Sequence, residues 1–223
     1  MRILIIAAHP DDEVYGMGGT IAKLSSLGHH VYTLIVTEGC SAQYPENPQI
    51  IEDKKREALQ CNKILNVKEV IFGDLPDMKL DSIPHIEINA VIEKAVNKIK
   101  PDIVYTHHKG DVNKDHRLVY ESTMVACRPT AGQCIRKLLS YQVPSSTEWC
   151  GSSVEEIFIP NVFEKIEDFA EIKHQAILAY QTEIREYPHP RSLEYVKVWD
   201  KSTGMKVGLK QAEAFHLIRD IRN

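Results

Sequence analysis

No apolar run in this 223-residue chain approaches the roughly 20 residues that cross a bilayer, so no membrane-spanning helix is expected. Cysteine is sparse and unpatterned. Cys40, Cys61, Cys127, Cys134 and Cys150 are odd in number and form no C-x-x-C, which argues against a disulfide framework and against a cysteine-rich zinc site. A dominant charge is lacking too: the net charge of −4 and a pI near 6.2 give no electrostatic reason to expect nucleic acid or an anionic membrane as partner. The apolar start runs straight into His-Pro-Asp-Asp-Glu, without a signal-peptide core and cleavage site, and a reducing cytoplasm is the expected location. No repeat or low-complexity segment is visible. Gly16-Met17-Gly18-Gly19 carries Ile21 where a dinucleotide loop needs its third glycine, so those glycines are expected to pack a helix closely on a sheet.

What is present is an ordinary soluble composition, 43% hydrophobic and 26% charged, in a chain long enough to bury a sizeable core. Ile3–Ala8, Val31–Val36, Glu69–Phe72 and Pro101–Thr106 read as strands. They alternate with helical patterns at Gly18–Leu27, Glu52–Leu65, Pro84–Ile99 and Asp115–Cys127. This alternation predicts an α/β fold: a doubly wound, mainly parallel, Rossmann-like sheet with helices on both faces. After Arg128-Pro129 the rhythm breaks. Leu138–Val143 and Val154–Ile159 resemble shorter strands, Ile166–Tyr180 and Lys210–Arg222 helices, and Glu186–Ser192 a proline-rich loop. One domain is expected, with a core at 1–128 and an elaboration at 129–223 that ends in a helix.

The most informative stretch is Ile3–Glu13, a buried-type strand that ends in one histidine and three acids. Pro10 has no N–H for a sheet and holds His9 extended, so the strand stops there. Acids at the start of a helix are stabilised by its dipole, and Asp11, Asp12 and Glu13 taken alone read as such a cluster. A histidine directly before them also fits a metal site. The fourth strand ends in a second polar cluster, His107 to His116. In an open α/β sheet, ligands bind beyond the carboxyl ends of strands, where two such ends become neighbours. His9, Asp12 and His116 would then form a two-histidine, one-carboxylate set with positions left open, as in catalytic zinc sites. Asp11 beside it is suited to take a proton from water. A polar strand end remains the competing reading for His107 and His108, and a surface role for His116.

The Ala8–Glu13 motif AHPDDE, followed about a hundred residues later by Asp115-His116, resembles the PIG-L (LmbE-like) family of metal-dependent N-acetyl-sugar deacetylases. The likeness extends to Arg56-Glu57, Pro144–Trp149 (PSSTEW), Pro188–Ser192 (PHPRS) and the Gly204–Phe215 stretch with its AEAF. The resemblance implies His9, Asp12 and His116 as metal ligands, with Zn²⁺ the default and Fe²⁺, Mn²⁺ or Co²⁺ also compatible with such a set. It implies Asp11 as general base, Asp115 as a partner that orients a neighbouring group, and Arg56 as a substrate contact. Glu13 is left with a supporting or helix-start role. Many family members carry a histidine where this chain has Asn113, and that histidine is thought to stabilise the oxyanion. Asn113 can donate one hydrogen bond but carries no charge, so the metal alone, or with His107, His108 or Lys109, must serve. Asp111 is expected to bind substrate or hold a histidine. His108, His189 and Arg191 are grouped with Arg56 as substrate-binding, although a simple turn also accounts for the PHPRS loop. Trp149 is either a sugar-stacking platform or core.

The function so implied is hydrolysis of the acetamide of an N-acetylglucosamine-type sugar or glycoconjugate, releasing acetate, by a chain that assembles as a homo-oligomer. The alternative keeps fold and metal but acts as a hydratase or other lyase on a small carboxylated molecule. A two-metal phosphoesterase is disfavoured because the chain reads Asp-His-Arg at 115–117.

Overall fold

Alternating apolar side chains along the strands divide the core in two. In β1 (Arg2–Ala7), Ile3, Ile5 and Ala7 face one layer of helices while Leu4 and Ile6 face the other. The computed structural model describes residues 1–42, 47 and 49–222. On the first face lie α1 (Asp12–Ser26), α2 (Gln49–Ile64), α5 (Ala170–Ile177) and α6 (Leu193–Met205). On the second lie α3 (His85–Ile99) and α4 (Lys114–Ala126).

The other strands are β2 (His30–Thr37), β3 (Glu69–Leu75), β4 (Ile103–Thr106), β5 (Lys137–Tyr141), β6 (Val162–Lys165) and β7 (Ala212–Asp220). Their order across the sheet is β3-β2-β1-β4-β5-β7-β6. The first five are parallel, and β7 runs antiparallel between β5 and β6. From β1 the order climbs one way to β3 and the other way to β5, so the crevice at the carboxyl ends of β1 and β4 is the topological switch point. The mainly parallel α/β expectation holds.

Three second-half expectations are corrected. Lys210–Arg222 is no helix. Ala212–Asp220 is a strand with ladders on both sides, and an apolar run this short satisfies either period. Val154–Ile159 forms no strand: Val154 and Ile159 stay exposed, and pairing begins only beyond Pro160, where the Asn161 N–H donates to the Phe215 carbonyl. The helix expected over Ile166–Tyr180 is confined to Ala170–Ile177, leaving Leu178 exposed. Helix α6 was not anticipated; Ser192 caps it by accepting the Tyr195 N–H.

The glycines of α1 pack as expected. A Cβ on Gly16 would lie 2.4 Å from the Tyr141 ring, and one on Gly19 2.9 Å from Ile166. The helix breaks at Met17 (φ −153°, ψ 26°), and the N–H groups of Gly19 and Thr20 beyond the break donate to the Glu213 carboxylate at 3.0 and 2.7 Å. Lys173 then lies 2.8 Å from both Glu213 and Asp200, a fully buried group tying α1, α5, α6 and β7 together.

Candidate active site

Beyond Ile5↔Tyr105 strands β1 and β4 part. The Ala8 N–H then donates to Nε2 of His107 at 2.8 Å instead of continuing a ladder. The chain turns at Pro10, which packs so closely on Gly39 that a Cβ there would lie 2.3 Å from the proline ring. Gly39 has φ +72°, a conformation natural to glycine. Asp11 follows with φ 113°, and its carbonyl accepts the Val14 and Tyr15 N–H groups that open α1.

This turn and the start of α4 bring three donor atoms together. His9 Nδ1 lies 3.1 Å from His116 Nε2, and Asp12 Oδ2 lies 3.3 Å from each. Ligands about 2.0–2.1 Å from one ion at tetrahedral corners stand about 3.3–3.4 Å apart, so the three atoms match three corners of a zinc-type site. Asp12 Oδ1 is buried with no hydrogen-bond partner among the described residues. Burial works against ionisation of Asp12, yet the facing imidazoles of His116 and His107 hold its carboxyl well below the usual range. Burial likewise opposes a proton on His116, but Asp12 and Asp111 push it up to about 9. The cluster draws positive charge, and its donor chemistry suits a divalent cation.

Each histidine has a carboxylate behind it. His9 Nε2 lies 3.2 Å from Asp115 Oδ2, and Asp115 Oδ1 accepts the Leu80 N–H. His116 Nδ1 lies 3.1 Å from Asp111 Oδ2. Asp111 in turn accepts hydrogen bonds from the Ser146 and Thr147 hydroxyls. Such partners fix the orientation of an imidazole and raise its basicity. Asp111 thus stands between the His116 ring and the Ser146 and Thr147 hydroxyls. Asp77 also faces His9 Nε2, at 3.4 Å. With His9 and Asp115 it forms a second group of metal-capable donors.

Asp11 is 1% exposed, and neither carboxylate oxygen makes an aligned hydrogen bond among the described residues. Burial pushes its carboxyl up to about 8, with Arg191 opposing and Glu183 and Asp12 adding to the rise. Arg191 Nη1 lies 3.1 Å from Asp11 Oδ2 and 2.7 Å from Glu183 Oε2, and Glu183 also pairs with Lys54. These groups open on a cleft of about 400 Å³ whose walls include His9, Asp11, Lys54, Asp77, Asn113 and Arg191. Asn113 caps α4, its Oδ1 accepting the Asp115 N–H at 2.9 Å, and its Nδ2 faces the Met78 sulfur at 3.5 Å.

The other expected residues lie elsewhere. Arg56 points to solvent, its side chain 70% exposed and paired with Asp53; Lys54, two positions earlier, is the basic residue of α2 that reaches the cleft. Among the described residues His108 makes no contact in the cleft: its Nε2 meets the Glu156 carbonyl at 2.8 Å, beside a separate cavity. His189 supports Arg191 by accepting its backbone N–H at 3.0 Å. Trp149 is 55% exposed, so it is not core, and it does not line the cleft. Lys54, Asp77 and Glu183 carry no sequence assignment, whereas Ser146 and Thr147 fall within the Pro144–Trp149 stretch named for the likeness. Asp77 follows the end of β3, where the strand-end rule could have found it; Glu183 carries no such signal.

The model of the family described as PIG-L, GlcNAc-PI de-N-acetylase, matches residues 4–127. The uncharacterized deacetylase YaiS of Escherichia coli K12 is 31% identical over 189 residues, 81% of this chain and 90% of that protein. The diacetylchitobiose deacetylase of Thermococcus kodakarensis is 27% identical over 237 residues, covering 99% of this chain and 84% of its own. Among solved structures, a conserved protein of Thermus thermophilus superposes with a TM-score of 0.78 at 23% identity, over 99% of this chain and 96% of that one.

Proposed function

We propose, from the premise that this chain belongs to the PIG-L family, that it is an N-deacetylase that hydrolyses the acetamide of an N-acetylglucosamine-type sugar or a small glycoconjugate. One observation carries the reading: a buried carboxyl without an aligned hydrogen bond, Asp11, opens on the cleft beside the His9, Asp12 and His116 triangle. In this reading those three residues hold a divalent cation, Zn²⁺ by the chemistry of the set, with Fe²⁺, Mn²⁺ or Co²⁺ as substitutes. Such an ion supplies Lewis acidity, drawing charge from a carbonyl oxygen and making water easier to deprotonate.

The chain's own groups do the rest. Asp11 accepts the proton of the attacking water, and the new C–O bond forms at the amide carbon. The same carboxyl then returns its proton to the nitrogen as the C–N bond breaks, leaving acetic acid and the amine, which exchange one proton to give acetate and the ammonium. A carboxyl raised by burial is suited to both transfers. Arg191, 3.1 Å away, limits that rise and steadies the ionised form. Asn113 Nδ2, which faces the Met78 thioether and lines the cleft, is a neutral donor for developing negative charge. Lys54, Asp77 and Arg191 offer the cleft polar contacts for sugar hydroxyls, and the cleft's size favours a single sugar ring with a modest substituent.

The test is acetate release from a panel of N-acetylated sugars, with metal content measured on the same preparation. Asp11→Ala is expected to keep its metal and to lose about 10³-fold or more in kcat. Substantial turnover by that variant would overturn Asp11 as the base. Loss of a conjugated chromophore from a carboxylated substrate, without acetate release, would favour the hydratase.

A further inference from the structure

We propose that Glu13 is a positioning residue whose carboxylate locks the backbone of Asp11 in the conformation that presents its carboxyl to the cleft; the catalytic part of this inference rests on the deacetylase reading. Asp11 has φ 113° and ψ −26°, a region that residues with a side chain rarely occupy and keep only where the surroundings over-determine it. The bond that holds it runs inward. The Asp11 N–H donates to Glu13 Oε2 at 3.2 Å.

Glu13 cannot drift. It is 0% exposed, and its other oxygen accepts from Tyr180 Oη at 2.6 Å and from Asn62 Nδ2 at 2.9 Å. Asn62 is fixed in turn, donating to the Ala58 carbonyl and accepting the Thr33 hydroxyl at 2.8 Å. One carboxylate thus receives donors from α2, from the segment after α5 and from the strained turn, and among the described residues no cation pairs with it. A leucine or methionine would fill the volume at lower desolvation cost. An acceptor with two oxygens is required only if three donors converge, and the third belongs to the backbone of Asp11. Among the described residues Glu13 neither lines the cleft nor belongs to the three metal-capable donors, and its one bond to the turn is to the Asp11 N–H, so its effect passes through Asp11.

Glu13→Gln keeps the shape but replaces one acceptor oxygen with a donor. It should retain wild-type metal content, speed hydrogen exchange at the Asp11 amide, and lower kcat by about 10²-fold with KM nearly unchanged, the scale of an ångström's misplacement. In an Asp11→Asn background the same substitution should add no further loss, because the group it positions is gone. Wild-type kcat in Glu13→Gln would overturn the proposal, as would an equal additional loss in the Asp11→Asn background, or loss of metal. Should Glu13→Gln fold poorly, Tyr180→Phe removes one supporting bond and must show the same pattern at a few-fold scale; a lowered melting temperature with unaltered kcat and amide exchange would overturn it. If the wild type releases no acetate from any sugar, the deacetylase reading fails. The Asp11 amide exchange then still decides whether Glu13 sets that backbone.

Discussion

Lys54 and Arg56 stand two positions apart on α2 and meet opposite fates. Lys54 is 3% exposed and shares Glu183 with Arg191, whereas Arg56 lies in solvent beside Asp53. Removing one partner of a buried pair leaves the other charge unpaired. Lys54→Ala should therefore lower stability by about 3 kcal/mol, and Glu183 should then compete harder for Arg191 and loosen its hold on Asp11. Arg56→Ala should stay within about 0.5 kcal/mol of wild type and leave kcat/KM nearly unaltered. Denaturant unfolding and kinetics on the two variants distinguish them, and a large kinetic loss in Arg56→Ala would restore it as a substrate contact. Residue types that carry chemistry were legible where they cluster at strand ends: His9, Asp11, Asp12, Asn113 and His116 all lie at the crevice. The helix residue was not, because a rotation of two positions separates the cleft from solvent, and KKRE offers three cations to choose among.

At the scale of elements, β7 gathers the second half. A strand was hidden in Ala212–Asp220 because what decides it is pairing on both sides, which a local pattern does not contain. The strand also brings Glu213 to the break in α1 and, with Asp200, to Lys173. Two buried acids share one ammonium. Glu213 has two backbone donors besides, so the surplus charge falls on Asp200, whose Oδ2 has no partner among the described residues. Burial pushes Asp200 from 3.8 up to about 6, against the pull of Lys173. The folded protein therefore binds this proton more tightly than the unfolded chain. The stability it contributes is present below about pH 4 and lost as the pH rises through about 6, on the order of 3 kcal/mol. Asp200→Asn should flatten this slope, so its stability relative to wild type rises between pH 4 and 7 in paired thermal melts. A parallel pair of curves would refute the assignment. Lys173→Met, which strands both acids, should cost about 3–5 kcal/mol.

For the whole molecule, the switch point between β1 and β4 makes one site from segments a hundred residues apart, and the α/β alternation forecast that meeting. A cation bound there ties α4 to β1. At a hundredfold excess over its Kd it should add about 2.7 kcal/mol, or roughly 5–10 °C in Tm for a chain of this size. Chelation should remove that increment, and His116→Ala should show no response to added Zn²⁺ in the same melting assay; an equal shift in both proteins would refute the site. Three imidazoles crowd Asp12, since His107 Nε2 is 3.4 Å from it, about as near as His9 and His116. Yet His107 has already given its lone pair to the Ala8 N–H at the point where the two strands diverge, and burial with the neighbouring His116 lowers its proton affinity to about 4. Strand divergence thereby withholds a third imidazole nitrogen, so that a cation held as proposed by His9, Asp12 and His116 would have three protein ligands and room left for reactants.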